Sequence, residues 1–196
     1  MVLTLLSIFY AFSDWIIFVV AYSVSAILDL FDGMAARKFD QCSKFGGILD
    51  MVTDRVSTNM LYIVLAVMFP KHYFVFAVLA GLDYSSHWAQ MYAAAASGTH
   101  HKVLDKDRNW LLRFYYSNRP FMFMNCVCQE AALIALYAWY HAGAAGYSQL
   151  SLYAYYLVVG CLPLGGIKQL INVIQLMDAC KQIVKVDVKE WTEKRA

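Results

Sequence analysis

Long apolar segments, separated by short polar breaks, are the feature that most constrains how this chain folds. In a bilayer each backbone polar group must be satisfied within the chain, and apolar segments of this length satisfy it as helices. Only 15% of the residues are charged, whereas soluble domains carry about 25%. The apolar segments lie at residues 1–12, 15–31, 46–69, 73–97, 120–141 and 149–178. The sequence therefore predicts an all-α integral membrane protein with six transmembrane helices in the lipid bilayer.

The first apolar segment is short for a membrane span. Its 12 residues rise about 18 Å along a helix, against about 30 Å of hydrocarbon. Either the polar break at Ser13 and Asp14 does not interrupt the helix, or the helix is truncated at its N-terminus, and we expect truncation. The predicted organisation is a six-helix transmembrane domain at residues 1–180, followed by a polar tail at 181–196.

The basic residues lie on one side of the predicted helices. Of 16 Lys and Arg, all but Lys71 and Lys168 flank residues 38–45, occupy the loop at 98–118, or lie in the tail. The positive-inside rule places this basic side, and the tail, in the cytosol. Lys168 lies within the last apolar segment, where we expect its ammonium group to extend to the membrane interface or to reach a substrate phosphate.

Four aspartates interrupt the apolar pattern beside the first polar loop, and we call Asp29, Asp32, Asp50 and Asp54 the acidic quartet. The first two are three residues apart at the end of one helix, and the last two are four apart at the start of the next. Each pair lies on one helix face, and the short loop makes the two helices antiparallel neighbours. Four converging carboxylates would repel each other without cations. Oxygen ligands in this number suit Mg²⁺ or Mn²⁺, and two such ions would clamp a phosphoryl group.

The residues around the acidic quartet suit a phosphate substrate. Gly33 lets a ligand approach the backbone, Arg37 offers a forked donor to phosphate oxygens, and Ser43 offers a hydroxyl from the loop. Gly46 and Gly47 predict close helix packing where the second acidic pair begins.

Two other interpretations of the acidic quartet stay open. Asp32 with Arg37, or Asp54 with Arg55, would form structural ion pairs. The quartet would instead line a divalent-cation transporter, but such proteins have inverted repeats and broken helices, which this sequence lacks. Arg37 would also repel a travelling cation.

Further polar residues are candidate contacts for the acceptor or for phosphate. Asp83 lies within an apolar segment with His87 one turn later, and an acid at membrane depth favours a functional role. The alternatives are a hydrogen bond between Asp83 and a Tyr or Ser of a neighbouring helix, and a core histidine at position 87. Lys102, Arg113 and Arg119 lie on or beside the loop at 98–118, where they would otherwise anchor the chain at the membrane surface.

The acidic quartet is part of a longer pattern, D-x2-D-G-x2-A-R-x8-G-x3-D-x3-D, which residues 29–54 match without departure. This pattern resembles the signature of the CDP-alcohol phosphotransferases. The resemblance implies the fold of that family with six transmembrane helices, a homodimer, and a site with two Mg²⁺ or Mn²⁺ ions held by the quartet. It also implies that Asp54 is the general base, and that Gly33, Arg37 and Ser43 contact the CDP-diacylglycerol head group.

Three segments, FGGILDMVTDRVST, GLDYSSHW and HHKVLDKDRNWLLRFYYSNRP, are similar to those of eukaryotic family members that use myo-inositol as acceptor. The resemblance implies transfer of a phosphatidyl group from CDP-diacylglycerol to myo-inositol with release of CMP. It also implies an endoplasmic reticulum membrane, a site that faces the cytosol, and no nucleic-acid partner. Acceptors such as glycerol 3-phosphate or serine stay open, because physical chemistry alone does not specify the pocket. The family usually opens with a polar Pro-Asn segment that this sequence lacks, in agreement with the expected truncation.

Overall fold

The computed structural model describes residues 1–96 and 109–195, and the regular elements within them are all helical. These residues form α1 (Val2–Tyr10), α2 (Trp15–Lys38), α3 (Lys44–Met68), α4 (Tyr73–Ala96), α5 (Trp110–Ser117), α6 (Arg119–Ala144) and α7 (Ser148–Glu193). A 3-10 turn at Pro70–His72 joins α3 to α4. The predicted all-α class is confirmed.

All helices but α5 begin within two residues of the predicted apolar segments, whereas α2 ends at Lys38, seven residues after the predicted end at 31. Asp14 caps α2, because its Oδ1 accepts hydrogen bonds from the backbone N–H groups of Ile16 at 3.0 Å and Ile17 at 3.1 Å. Such a cap typically contributes about 1 kcal/mol, so the chain breaks between α1 and α2 at Asp14. Gly146, with a φ of 80°, lies in the turn between α6 and α7, where a left-handed residue suits the end of a helix.

Two segments that looked polar in the sequence are helical. The prediction of a loop at 98–118 was wrong for α5, whose Leu112 and Tyr115 are buried one turn apart. This apolar face is too short to stand out among the flanking charges. The tail at 181–196 continues α7 as far as Glu193, so α7 is 46 residues long and contains Pro163 in its interior.

Three helices, α2, α6 and α7, are individually long and apolar enough to cross a membrane. Lys44–Met68 and Pro70–Ala96 meet the same test only as a pair, with a bend of 116° at the break between them. The charged residues of α3 and the polar residues of α4 lower their separate mean hydropathy, and α1 has only nine residues. The apolar helices fit an integral membrane protein, while the count of six spans stays a prediction.

Large apolar side chains cover much of the outer surface. Val2, Phe9 and Phe74 are 81%, 78% and 68% exposed, and many other aromatic and aliphatic residues share this exposure. A soluble monomer rarely displays apolar surface on this scale. The surface is therefore suited to lipid.

The described residues form two compact units, the first with Met1–Ala80 and Leu133–Val158, the second with Gly81–Ala132 and Val159–Ala196. The first unit has an aromatic core. The ring of Phe18 lies 3.9 Å from that of Tyr137 and 5.9 Å from that of Tyr22, measured between centroids. The buried Tyr137 hydroxyl donates to the backbone carbonyl of Ala11 at 2.7 Å.

The second unit has many polar residues in its interior. A small apolar cluster contains Leu112, Tyr115 and Ile171. Buried polar and charged residues are as numerous as buried apolar ones among the described residues of this unit: Asp83, Ser86, Gln90, Asn125, Gln129, Lys168, Asn172 and Gln175. In an apolar chain, polar side chains hydrogen-bond across helices, so this interior predicts a connected network.

Replacing Tyr137 with Phe removes the hydrogen bond to Ala11 and leaves a buried carbonyl without that donor. We expect the free energy of unfolding to fall by about 1 kcal/mol, and the melting temperature in detergent to fall with it. Tyr140→Phe is the matched control, because Tyr140 lies on the same helix with 44% of its surface exposed. Equal melting temperatures for the two variants would contradict a structural role for the Tyr137 hydroxyl.

Candidate metal and substrate site

The acidic quartet lies within the first unit, on the last turns of α2 and the first turns of α3. The side chain of Asp29 is close enough to Asp54 for a hydrogen bond, and its charge interacts with those of Asp50 and Asp32. Asp29 and Asp54 are partly buried, whereas Asp32 and Asp50 are exposed. The two acidic pairs therefore meet, as their helical spacing predicts.

This meeting of carboxylates is electrostatically unfavourable on its own. Two unit charges 4 Å apart interact by about 4 kcal/mol at an effective dielectric constant of 20. Two carboxylates at hydrogen-bonding distance therefore need a proton or a cation between them. Any stable form of the site has to supply this positive charge.

Arg55 supplies part of the positive charge that the acidic quartet needs. Its Nη2 donates to Oδ2 of Asp54 at 3.2 Å, and the Arg55 side chain is only 13% exposed. One of the structural ion pairs that the sequence left open is therefore formed. The other is not, because Asp32 and Arg37 form no ion pair in the part of the chain that the structure describes. A single arginine does not balance four carboxylates.

The carboxylates fit a hard divalent cation by donor type. Mg²⁺ and Mn²⁺ prefer carboxylate oxygens, and the charges of the other three members of the quartet act on Asp29. Within residues 1–96 and 109–195, however, the side chains do not form a ready ligand group of three or more His, Cys, Asp or Glu. Short aspartate side chains would have to rotate to share one ion, so metal ligation by the quartet stays a prediction.

Arg37 lies over the backbone of Gly33. A Cβ atom built on Gly33 would lie 3.5 Å from Nη1 and 3.7 Å from Nη2 of Arg37, which is ordinary contact. The exposed guanidinium therefore stands beside a stretch of backbone without a side chain. This combination suits the oxygens of a phosphate group.

Ser43 and Gly46 together start α3. The Ser43 Oγ accepts a hydrogen bond from the backbone N–H of Gly46 at 2.9 Å. A Cβ on Gly46 would lie 3.1 Å from that oxygen, and a Cβ on Gly47 would meet nothing within 4 Å. The prediction that these glycines allow close helix packing was therefore wrong, because Gly46 serves the cap and Gly47 faces open space. If Ser43 also contacts the substrate, as the sequence predicts, it would do so with the same hydroxyl group that caps α3.

Asp83 is fully buried on α4, within the second unit. The Nδ1 of His87 lies 3.8 Å from Oδ1 of Asp83 and 2.8 Å from its backbone carbonyl oxygen. From α7, Nδ2 of Asn172 donates to Oδ1 of Asp83 at 3.4 Å. Asp83 and His87 therefore belong to a network that joins α4 to α7.

Lys168 belongs to the same network. It is 4% exposed, its Nζ donates to Oδ1 of Asn172 at 3.1 Å, and it lies 5.8 Å from the ring centroid of Tyr115. The prediction that Lys168 extends to the membrane interface was wrong. Polar and aromatic partners inside the second unit hold the ammonium group instead.

Amide side chains extend this network and were not singled out from the sequence. Gln169 donates to Gln129 at 3.2 Å, and the Tyr116 hydroxyl lies 3.0 Å from both Gln90 and Gln175. A signal was present, because residues 168, 169, 172 and 175 follow helical spacing within an otherwise apolar helix.

Of the other predicted acceptor or phosphate contacts, two lie within the described residues. Arg113 on α5 and Arg119 at the start of α6 are both exposed. Lys102 lies outside the described residues. The roles proposed for these three cations stay predictions.

The chain is similar in sequence to known proteins. The family model described as CDP-alcohol phosphatidyltransferase matches residues 1–176. The chain is 38% identical to a CDP-diacylglycerol–inositol 3-phosphatidyltransferase of Schizosaccharomyces pombe, over 87% of this chain and 79% of that protein. Identity to the human protein of the same name is 34%, over 89% of this chain and 82% of the human protein. The Arabidopsis thaliana protein named probable CDP-diacylglycerol–inositol 3-phosphatidyltransferase 2 is 38% identical, over 93% of this chain and 84% of that protein. No solved structure matches the chain significantly.

Replacing Asp29 with Asn removes a negative charge from the point where the two acidic pairs meet. We expect the variant to melt at a higher temperature than the wild type in EDTA, because carboxylate repulsion is relieved. Added MnCl₂ should raise the melting temperature of the wild type more than that of the variant. Thermal unfolding in detergent measures both.

Asp14→Asn is the control for this experiment. It removes a carboxylate outside the quartet and keeps the α2 cap, since Asn caps helices about as well as Asp. Its melting temperatures should match those of the wild type with and without MnCl₂. A lower melting temperature of Asp29→Asn in EDTA would contradict the repulsion at this site.

Proposed function

This chain belongs to the CDP-alcohol phosphatidyltransferase family, and we propose that it is a phosphatidylinositol synthase. It transfers the phosphatidyl group of CDP-diacylglycerol to myo-inositol and releases CMP. The observation that carries this proposal is the identity of 34–38% to transferases of that name over most of both chains. The meeting of the acidic quartet within one unit supports it independently.

The proposed reaction is a single displacement at phosphorus. An inositol hydroxyl oxygen attacks the phosphorus that carries the diacylglycerol, and Asp54 takes the proton of that hydroxyl. The bond from this phosphorus to the bridging oxygen of the diphosphate breaks, and CMP leaves with the electron pair. Asp54 suits the role of base because its side chain is 46% exposed and its contact with Arg55 fixes its orientation.

In this proposal the acidic quartet holds two Mg²⁺ or Mn²⁺ ions. Ions held there would supply positive charge to the diphosphate and to the leaving CMP. Gly33, Arg37 and Ser43 contact the CDP-diacylglycerol head group. The guanidinium of Arg37 beside the bare backbone of Gly33 supports the first two of these contacts.

The polar interior of the second unit favours an uncharged acceptor. A phosphorylated acceptor such as glycerol 3-phosphate would require several buried cations, yet Lys168 is the only buried Lys or Arg among the described residues. Its partner Asn172 also donates to the carboxylate of Asp83, which lies beside His87, and carboxylate, imidazole and amide groups match the hydroxyls of a polyol. We therefore assign Asp83 and His87 to the acceptor, with Lys102, Arg113 and Arg119 as additional acceptor or phosphate contacts.

We place the protein in the endoplasmic reticulum membrane as a homodimer with six spans in each chain. The concentration of Lys and Arg around residues 38–45, in 98–118 and after residue 180 supports a cytosolic position for the acidic quartet. CDP-diacylglycerol would then present its water-soluble head group to the quartet from the cytosolic leaflet.

A CMP-release assay on the purified full chain tests the reaction and its acceptor. With CDP-diacylglycerol present, we expect turnover with myo-inositol when Mg²⁺ or Mn²⁺ is added, and none in EDTA. Serine and glycerol 3-phosphate serve as competing acceptors in parallel assays. Equal turnover with either of them, or none with myo-inositol, would contradict the assignment of acceptor.

Asp54→Asn should abolish turnover, because an amide cannot accept the hydroxyl proton. CDP-diacylglycerol should still bind, since the proposed head-group contacts on α2 and in the loop are retained. Titration calorimetry measures binding, and CMP release measures turnover. The control Asp187→Asn changes a carboxylate in the exposed last turns of α7 and should leave both unchanged. Wild-type turnover in Asp54→Asn would refute the role of Asp54 as base.

A further inference from the structure

The short helix α1 buries its Thr and Ser side chains and exposes most of its apolar ones. Thr4 and Ser7 are 1% and 0% exposed, while apolar residues such as Leu5 face outward. In a membrane protein a hydroxyl is buried where it finds partners on other helices, because lipid offers none. The buried hydroxyl of Thr4 is therefore expected to have partners on neighbouring helices.

Thr4 connects three helices through hydroxyl groups. Its Oγ1 lies 3.0 Å from Oγ of Ser25 on α2 and 3.3 Å from Oγ of Ser57 on α3. The Ser7 hydroxyl stays local, because it donates to the backbone carbonyl of Thr4 at 2.7 Å. We call Thr4, Ser25 and Ser57 the hydroxyl node.

The direction of the hydrogen bonds in the node follows from counting protons. Each hydroxyl has one proton to donate. Ser57 donates its proton to the backbone carbonyl of Thr53 at 2.8 Å, so its oxygen can only accept from Thr4. Thr4 then has no proton left for Ser25, and Ser25 must donate to Thr4. The node is therefore a single directed chain from α2 through α1 to α3, and Thr4 is its middle member.

The node lies one helical turn from the two carboxylates that meet. Ser25 precedes Asp29 by four residues on α2, and Ser57 follows Asp54 by three residues on α3. Residues at these spacings share a helix face, so the node and the carboxylates lie on the same faces of the two helices. Next to Ser57, the Thr58 hydroxyl donates to the backbone carbonyl of Asp54 at 3.0 Å.

We propose that Thr4 is a positioning residue: its hydroxyl holds α2 and α3 at the separation and depth where Asp29 meets Asp54. The repulsion between the carboxylates would drive the helix ends apart, and the node opposes this one turn away. Groups that hydrogen-bond directly to metal ligands typically change metal affinity or activity by about 10- to 100-fold, and the node acts one step farther out, through the helix backbones, so we expect an effect of about 10-fold. That the positioned carboxylates serve the reaction rests on the proposed function.

The test compares Mn²⁺ binding to the full chain in detergent, without substrate, for four proteins. Electron paramagnetic resonance of free Mn²⁺ gives the dissociation constant for the wild type, Thr4→Val, Thr4→Ser and Tyr137→Phe. Thr4→Val keeps the shape of the side chain and removes the hydroxyl, and Thr4→Ser restores it. Tyr137→Phe loses another buried interhelical hydrogen bond of the same unit, away from the quartet.

We expect the Mn²⁺ dissociation constant to rise about 10-fold in Thr4→Val and to stay at the wild-type value in Thr4→Ser and Tyr137→Phe. Wild-type affinity in Thr4→Val, or an equal loss in Tyr137→Phe, would overturn the proposal, because Thr4 would then contribute only to general stability. A wild type that binds no Mn²⁺ would overturn it as well.

Ser25→Ala covers the case in which Thr4→Val does not fold. It removes the donor at the partly exposed end of the node and leaves α1 intact. We expect a smaller rise in the dissociation constant in the same direction, and an unchanged value would overturn the proposal. CMP release with myo-inositol is measured on the same samples. Wild-type protein that binds Mn²⁺ but releases no CMP would refute the proposed function, while the Mn²⁺ affinities would still decide the role of Thr4.

Discussion

Concentrated negative charge where α2 meets α3 is the constraint around which the first unit is organised. Asp29 and Asp54 approach within hydrogen-bonding distance, and Arg55 compensates only part of the charge. Helix ends that repel each other in this way need to be held from elsewhere. Ser43 fixes the start of α3, and the hydroxyls of α1, α2 and α3 join the helices one turn away.

The positions of the helices could be predicted because they depend on local properties. The apolar runs and the capping side chain of Asp14 are visible in the sequence, and the starts of the long helices follow them closely. α5 could not be predicted, because its stability comes from burying Leu112 and Tyr115 against other parts of the second unit. The extension of α7 through charged residues was likewise hidden, since a charged helix and a charged coil have similar composition.

In the site, too, positions set by helical spacing could be predicted, whereas the partners of individual side chains could not. Helical spacing alone brought the acidic quartet together, yet it did not decide which arginine would pair with it, and Arg55 does so in place of Arg37. Lys168 was misplaced because its burial and its contact with Tyr115 of α5 depend on how α5 and α7 pack, although its partner Asn172 lies one turn along the same helix. A long basic side chain in an apolar segment can extend to the membrane interface or find polar partners inside the protein, and the sequence does not show which of the two occurs.

Gly46 gives one of the motif positions an explanation in backbone geometry. Its missing side chain leaves room for the Ser43 hydroxyl at the first turn of α3, 3.1 Å from where a methyl group would sit. Asp50 and Asp54 follow about one and two turns later on the same helix. An alanine here would displace the serine by a few tenths of an ångström and disturb the entry of the chain into the helix. The small size of Gly46 therefore determines where α3 starts. The start of the helix in turn sets the direction in which Asp50 and Asp54 point around the helix axis.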